Sequence, residues 1–173
     1  MPGDEFGVYY LPELAHARVR LARRALFSRL IGTLLSLGLI VAAWFGFPDA
    51  FADMAWWMIG STVAVGGVLA SHQLVLFVVA RSDARKVPGG LALGMNRDGV
   101  LVGPDWFPWG QVGALVVRPG RLGSSATLVA TGRDNASQRV LLDYTDVGPA
   151  ALDSAILALS GGRARVDLSH LDA

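Results

Sequence analysis

The 173-residue chain contains no cysteine, which removes disulfides, thiolate nucleophiles, iron–sulfur clusters and cysteine zinc sites from consideration and leaves the redox compartment unread. It is also poor in lysine: Lys86 is the single lysine among 15 basic residues, an arginine bias that leans toward a GC-rich bacterial source. Net charge is only +1, so no field over the whole molecule recruits nucleic acid or an acidic partner. The most informative scarcity is local. Between Arg29 and Arg81 the only formal charges are Asp49 and Asp53, whereas the rest of the chain is charged at an ordinary soluble density. With 53% hydrophobic residues and a mean hydropathy of +0.45, the chain divides into an apolar part and a water-facing part.

Signatures of chemistry are missing too. There is no phosphate-binding glycine loop, nucleophile elbow or metal-spaced histidine pair, and His16, His72 and His170 are widely dispersed. Carboxylates outside the apolar part fall mainly at turns and helix ends, where capping and solubility account for them. The expectation is a protein that is not an enzyme, with no cofactor and no metal.

What is present begins with two apolar runs. Leu30 to Phe47 supplies 18 uncharged residues and Met54 to Ala80 supplies 27, against the roughly 20 that a helix needs to cross a bilayer core. The six residues Pro48 to Asp53 are too few to recross, so a membrane hairpin of two antiparallel helices is expected over residues 30–80. A cleaved signal peptide is disfavoured. The run starts far from the N-terminus, exceeds a signal peptide's apolar region and ends in Trp44-Phe45-Gly46-Phe47-Pro48 rather than small residues.

Orientation follows from arginine. Arg18, Arg20, Arg23, Arg24 and Arg29 precede the first run, Arg81, Arg85 and Lys86 follow the second, and the connecting loop has no basic residue. These residues are expected at the inner membrane surface, which places both termini in the cytoplasm. Trp44, Phe45, Phe47, Phe51, Trp56 and Trp57 would form an aromatic rim at the loop end.

For helix packing, Gly60, Ala64, Gly67 and Ser71 recur on one face of the second helix, with Gly32, Ser36 and Ala43 as a matching small strip on the first. Ordinary glycine and alanine content of membrane helices accounts equally for these strips. His72, followed by Gln73, is the one ionisable group inside the apolar runs. It reads first as a neutral imidazole bonded across the hairpin to Ser36 or Thr33, and second as a proton relay, haem ligand or inter-subunit contact.

Ahead of the hairpin, residues 1–29 form an N-terminal segment in which Pro12 to Arg29 has helical periodicity, with Ala15, Val19, Ala22 and Leu26 on one stripe. This basic helix either lies in the headgroup layer or runs straight into the first membrane helix. Phe6 to Tyr10 has strand composition and is a candidate to pair with the downstream sheet.

Beyond a linker at residues 81–90 the pattern changes to period two. Leu91 to Met95 and Val100 to Val102 flank the turn Asn96-Arg97-Asp98-Gly99, whose glycine can take positive φ, giving a hairpin. Phe107 to Val117 reads as one strand containing Trp109 and Val112, followed by Ala126 to Ala130 and Arg139 to Leu142, in an antiparallel meander. Leu152, Ala155, Ile156 and Leu159 give an apolar helix face begun at Pro149 and stopped by Gly161-Gly162, and residues 163–173 read as a tail. The fold class expected is therefore a membrane α-helical hairpin plus an α+β cytoplasmic domain over residues 91–162, a small sheet or partial barrel closed by a C-terminal helix.

The string Leu93-Gly94-Met95-Asn96-Arg97-Asp98-Gly99-Val100, followed by Phe107-Pro108-Trp109-Gly110-Gln111-Val112, a polar strand pair and an amphipathic helix, resembles the bacterial PH-like membrane proteins, especially the YcxB-like group. Those proteins are similar also in carrying two membrane helices ahead of a PH-like half. The resemblance implies a fold of about seven strands, with Trp109, Val112, Leu152, Ile156 and Leu159 in the domain core and Gly99 in a turn. It further implies a binding or scaffolding module without chemistry of its own. Residues 91–173 hold seven basic and eight acidic residues, which gives no support for phosphoinositide recognition by the first hairpin. Expected partners are the lipid bilayer and either a cytoplasmic protein or a larger membrane complex of respiratory or transport type, with a homo-oligomer also open and a His72-dependent redox or transport role most remote.

Overall fold

The computed structural model describes residues 5–51 and 54–170. Its compact units are two: Ala17–Arg81, which is helical, and Met1–His16 with Ser82–Ala173, which carries the sheets.

In the helical unit, α1 (Pro12–Gly46) and α3 (Ala55–Arg85) are joined through the short α2 (Pro48–Phe51). Proline is tolerated in a first helical turn, where its missing N–H costs no bond, and Glu13 sits beside the positive helix end. The basic lead-in and the first apolar run are a single 35-residue helix, so the arginines decorate a stalk rather than a separate surface helix. Both helices are long and apolar enough to cross a membrane. In the most apolar 18-residue window of each, 0% of α1 and 6% of α3 is buried. Ala22, Leu26, Thr33 and Leu37 of α1 and Thr62, Gly66, Leu69 and Gln73 of α3 are half-buried, marking one inward stripe per helix.

The sheet unit holds two four-stranded sheets. The first, ordered β1-β2-β3-β4, is antiparallel throughout: β1 (Phe6–Tyr10), β2 (Gly90–Met95), β3 (Gly99–Val102) and β4 (Asp105–Pro108). The candidate strand at Phe6 to Tyr10 does pair downstream, with Val8 opposite Leu93. Tyr9 then faces Leu91, which leaves Ala92 as an extra residue on β2. That bulge explains why two consecutive residues, Ala92 and Leu93, are both buried where strict alternation would expose one.

The second sheet runs β7-β6-β5-β8: β5 (Val112–Arg118), β6 (Thr127–Gly132), β7 (Ser137–Leu141) and β8 (Val166–Asp167). β6 alternates half-buried Thr127, Val129 and Thr131 with buried Leu128, Ala130 and Gly132, the period of a strand with one face in the core. A 3-10 turn (Leu142–Tyr144) and α4 (Pro149–Leu159) follow.

Three expectations are corrected. The single strand Phe107 to Val117 is broken into β4 and β5, because Trp109, Gly110 and Gln111 form a turn in which the Gln111 N–H donates to the Pro108 carbonyl at 2.8 Å. The tail contains a strand, since β8 pairs parallel with β5, so the second sheet is mixed rather than a pure meander. The linker is structural, with Val87 buried. Parallel pairing at β8 needs a crossover, and α4 supplies it.

One core joins both sheets and the helix. Leu93, Val100, Val102, Trp109, Leu115, Leu128, Val140, Leu152 and Ile156 belong to it, with Val112 and Leu159 half-buried at its margin. Trp109 donates its indole N–H to the Asn96 carbonyl at 2.9 Å, so its polar atom is satisfied inside the core. α4 begins after Gly148, is led by Pro149 and ends where Gly161 and Gly162 take φ of 63° and 79°.

Candidate functional site

Three glycines of the helical unit define how the hairpin packs. A Cβ on Gly66 would lie 2.6 Å from Thr33 Cγ2, whereas Gly60 and Gly67 have open space around them. The close approach between α1 and α3 therefore runs through Gly66 and Thr33. Gly60, Ala64, Gly67 and Ser71 all face outward. The small strip expected to pack is on the wrong side of α3. On α1, Gly32 and Ser36 are exposed but border the inter-helix groove.

That groove has a volume of about 730 Å³ and is polar for its setting: Ser28, Arg29, Thr33 and Ser36 line it from α1, and Ser61, Thr62 and Gln73 from α3. Three of its hydroxyls bond to their own helix, Thr33 Oγ1 to the Arg29 carbonyl at 3.0 Å, Ser36 Oγ to the Gly32 carbonyl at 2.9 Å and Ser61 Oγ to the Met58 carbonyl at 3.1 Å. His72 is exposed, lies off the groove and has no hydrogen-bond partner among the described residues. The expected bond from His72 to Ser36 or Thr33 is thus absent among them; of the adjacent pair His72 and Gln73, it is Gln73 that turns inward.

At the loop end, Trp44 meets Trp56 edge-on at 5.6 Å between ring centres, and Phe45, Phe47 and Trp57 are exposed. The Phe51 side chain lies outside the described residues. The basic residues stay at the surface: Arg20, Arg23, Arg24, Arg29, Arg81, Arg85 and Lys86 are exposed and Arg18 half-exposed, with the Arg23 guanidinium 5.6 Å over the Phe27 ring.

Within the sheet unit, the first residues of α1 and the residues at the end of α3 are buried together. Ala15 from the first turns of α1, Val87 just past α3 and Tyr144 are buried together, with Ala84, Tyr10 and Leu141 against them. The backbone is tied as well. Leu11 donates its N–H to the Tyr144 carbonyl at 2.7 Å, the Tyr9 N–H donates to Asp146 Oδ1 at 2.8 Å, and the Asp146 N–H donates to the Tyr9 carbonyl at 3.1 Å. On the other root, buried Asp83 accepts the Ser125 N–H at 3.0 Å, while Ser125 Oγ accepts the Asp143 N–H at 3.2 Å. Among the described residues every buried side-chain polar atom has a partner. Burial raises the Tyr10 phenol above its ordinary range, opposed in part by a backbone hydrogen bond with Leu141.

Asp83 and Tyr144 were not singled out from the sequence. Asp83 sits between Arg81 and Arg85, where a juxtamembrane charge reads as solvated. A lone acid inside a basic collar was the available signal, because a carboxylate there needs a fixed donor to be worth keeping. No protein-family model matches the chain, and comparisons with curated proteins and with solved structures return no match.

Proposed function

We propose that the protein is a non-catalytic, membrane-anchored adaptor of the bacterial cytoplasmic membrane, whose PH-like cytoplasmic module binds a protein partner. The observation that carries this reading is the pairing of β1 with β2 across the two helices. Residues just before α1 and just after α3 share one sheet, so they lie on one side of any bilayer the helices enter. Two apolar helices between them then cross as a hairpin. Their exteriors support insertion, since Leu39 and Val68 are 73% and 70% exposed where a soluble protein's core helix would be covered. Arginine at both roots favours the cytoplasm for the sheet unit. Eight short strands around one core, closed by α4, support the PH-like reading of that unit.

The absence of native cysteine makes topology directly testable. In intact cells an impermeant maleimide is expected to label Asp49→Cys and to reach Ser154→Cys only after lysis. The opposite pattern overturns the orientation.

A second reading, an accessory subunit of a larger membrane complex, is favoured by the polar groove, because the Gln73 amide, whose side chain has no hydrogen bond among the described residues, is best satisfied at membrane depth by a neighbouring helix. Affinity purification in mild detergent separates the two. Stoichiometric membrane proteins lost on Gln73→Leu and kept on His72→Ala would favour the subunit. A soluble partner retained by both variants would favour the adaptor.

A further inference from the structure

The outer face of the second sheet carries a cleft that neither the adaptor reading nor the packing of the core uses. Alternation along β5, β6 and β7 turns Arg118, Thr127, Val129, Arg139 and Leu141 away from the core. Register brings them together: Arg118 lies opposite Thr127 and Thr127 opposite Leu141, while Val129 lies opposite Arg139. The two arginines thus stand two strands and two residues apart, about 12 Å between Cα atoms from ordinary strand spacings, with β6 as the floor between them. Lys86 and Tyr10 complete a cleft of about 400 Å³.

Among the described residues three cations and no carboxylate line this cleft. The side chains of Arg118 and Arg139 make no hydrogen bond or ion pair among the described residues. The acid nearest Lys86 is Asp83, at 4.0 Å, and its carboxylate is already held by the Ser125 N–H. Like charges gathered in a concavity repel one another unless an anion sits between them. Guanidinium groups present paired N–H donors that match the oxygens of a phosphate, and a tyrosine hydroxyl at the edge adds a neutral donor. Val129 and Leu141 offer the carbon part of an ester an apolar wall.

We propose that this cleft binds the phosphate of a phosphate ester, with Arg118 and Arg139 as its principal contacts and Lys86 as the third charge. Its position in the chain suits a phospholipid headgroup, since Tyr10 is two residues before α1 and Lys86 directly follows α3. A soluble phosphate ester has the same recognition chemistry.

The test uses the full chain purified in neutral detergent. Wild type, Arg118→Gln/Arg139→Gln and the control Arg121→Gln/Arg133→Gln, which removes the same charge elsewhere, are compared. Native mass spectrometry with phosphatidylglycerol or phosphatidylcholine added reads lipid retention. Thermal midpoints with glycerol 3-phosphate at constant ionic strength read the soluble ester. Phosphatidylglycerol retained by wild type and control, and at least tenfold less by the cleft variant, supports a headgroup site. An ester-dependent rise in midpoint lost only in the cleft variant, without lipid retention, supports the site with a soluble ligand. Equal behaviour of the cleft and control variants in both measurements overturns it.

Discussion

The carboxylate of Asp83 accepts the backbone N–H of Ser125 at 3.0 Å, joining the last turn of α3 to a loop 42 residues further along the chain. Both residues are buried. Removing the acceptor strands an N–H that has no water to turn to, at about 1–3 kcal/mol. Asp83→Ala is expected to lower the thermal midpoint of the detergent-solubilised protein clearly, and Asp83→Asn, which keeps a carbonyl oxygen, by much less. Equal midpoints for Asp83→Ala and wild type would remove this bond from the account of the hairpin root.

Gly99 reads as a turn glycine able to take positive φ, yet it is the closeness of the neighbouring strand that requires glycine there. A Cβ would meet the Phe107 carbonyl oxygen at 2.5 Å and Pro108 Cα at 2.9 Å, both backbone atoms that cannot swing aside. Gly99→Ala is expected to destabilise by about 1–3 kcal/mol. Gly110→Ala, with open space at its Cβ, should stay within about 0.5 kcal/mol. Chemical denaturation of the pair, followed by tryptophan fluorescence, measures the difference.

In the hairpin the contrast is between adjacent glycines. Gly66→Ile drives a branched side chain into Thr33 and is expected to cost about 1–3 kcal/mol, while Gly67→Ile points into open surroundings. Thermal unfolding in micelles, reported by the Trp44–Trp56 contact, checks the order; a larger loss for Gly67→Ile would reverse the assigned packing face.

Burial raises the folded-state pKa of Tyr10 above its unfolded value near 10. A raised pKa means that the neutral phenol is favoured in the fold, so this contribution is whole below pH 10 and is lost as pH rises through the higher folded value. Midpoints measured from pH 8 to 11 are expected to fall at the alkaline end, and Tyr10→Phe to flatten that fall whatever its effect at pH 8. An unchanged slope in Tyr10→Phe would show that other groups carry it.

Leu152 and Ile156 are fully enclosed between α4 and the sheets. Truncating either to alanine is expected to cost about 2–5 kcal/mol, and truncating half-buried Leu159 less. Urea midpoints of the three variants give the ranking.

Elements with a strong period were legible in the sequence. The stripe Ala15, Val19, Ala22 and Leu26 is the less exposed face of α1, and Leu152 and Ile156 are the buried face of α4. The hairpin of β2 and β3 was visible from its period and turn residues, and the strand at Phe6 to Tyr10 from its composition. What escaped depends on contacts between distant residues. A bulge at Ala92, a two-residue strand at Val166 and the break at Trp109 leave no repeating pattern; the first two arise from pairing partners far along the chain and the third from a local turn. The packing face of α3 was misread because Gly60-Ala64-Gly67 and Thr62-Gly66-Gln73 are both helical stripes with small or polar members. Only the fit of Gly66 against Thr33 separates them. Asp83 and the Arg118–Arg139 cleft were hidden likewise, since Arg118 and Arg139 become neighbours only through the register of β6.

The enclosure of both helix roots around Tyr144 also orders events during synthesis. β1 is made first, but its partner β2 emerges only after α3, and Ala15 finds Val87 and Tyr144 later still. The earliest strand therefore waits unpaired until both apolar helices have been made. Contacts of such long sequence separation close slowly. Until that closure the first sheet lacks its edge strand and the cluster of Ala15, Val87 and Tyr144 stays open, so the sheet unit is complete only after both apolar helices have been made.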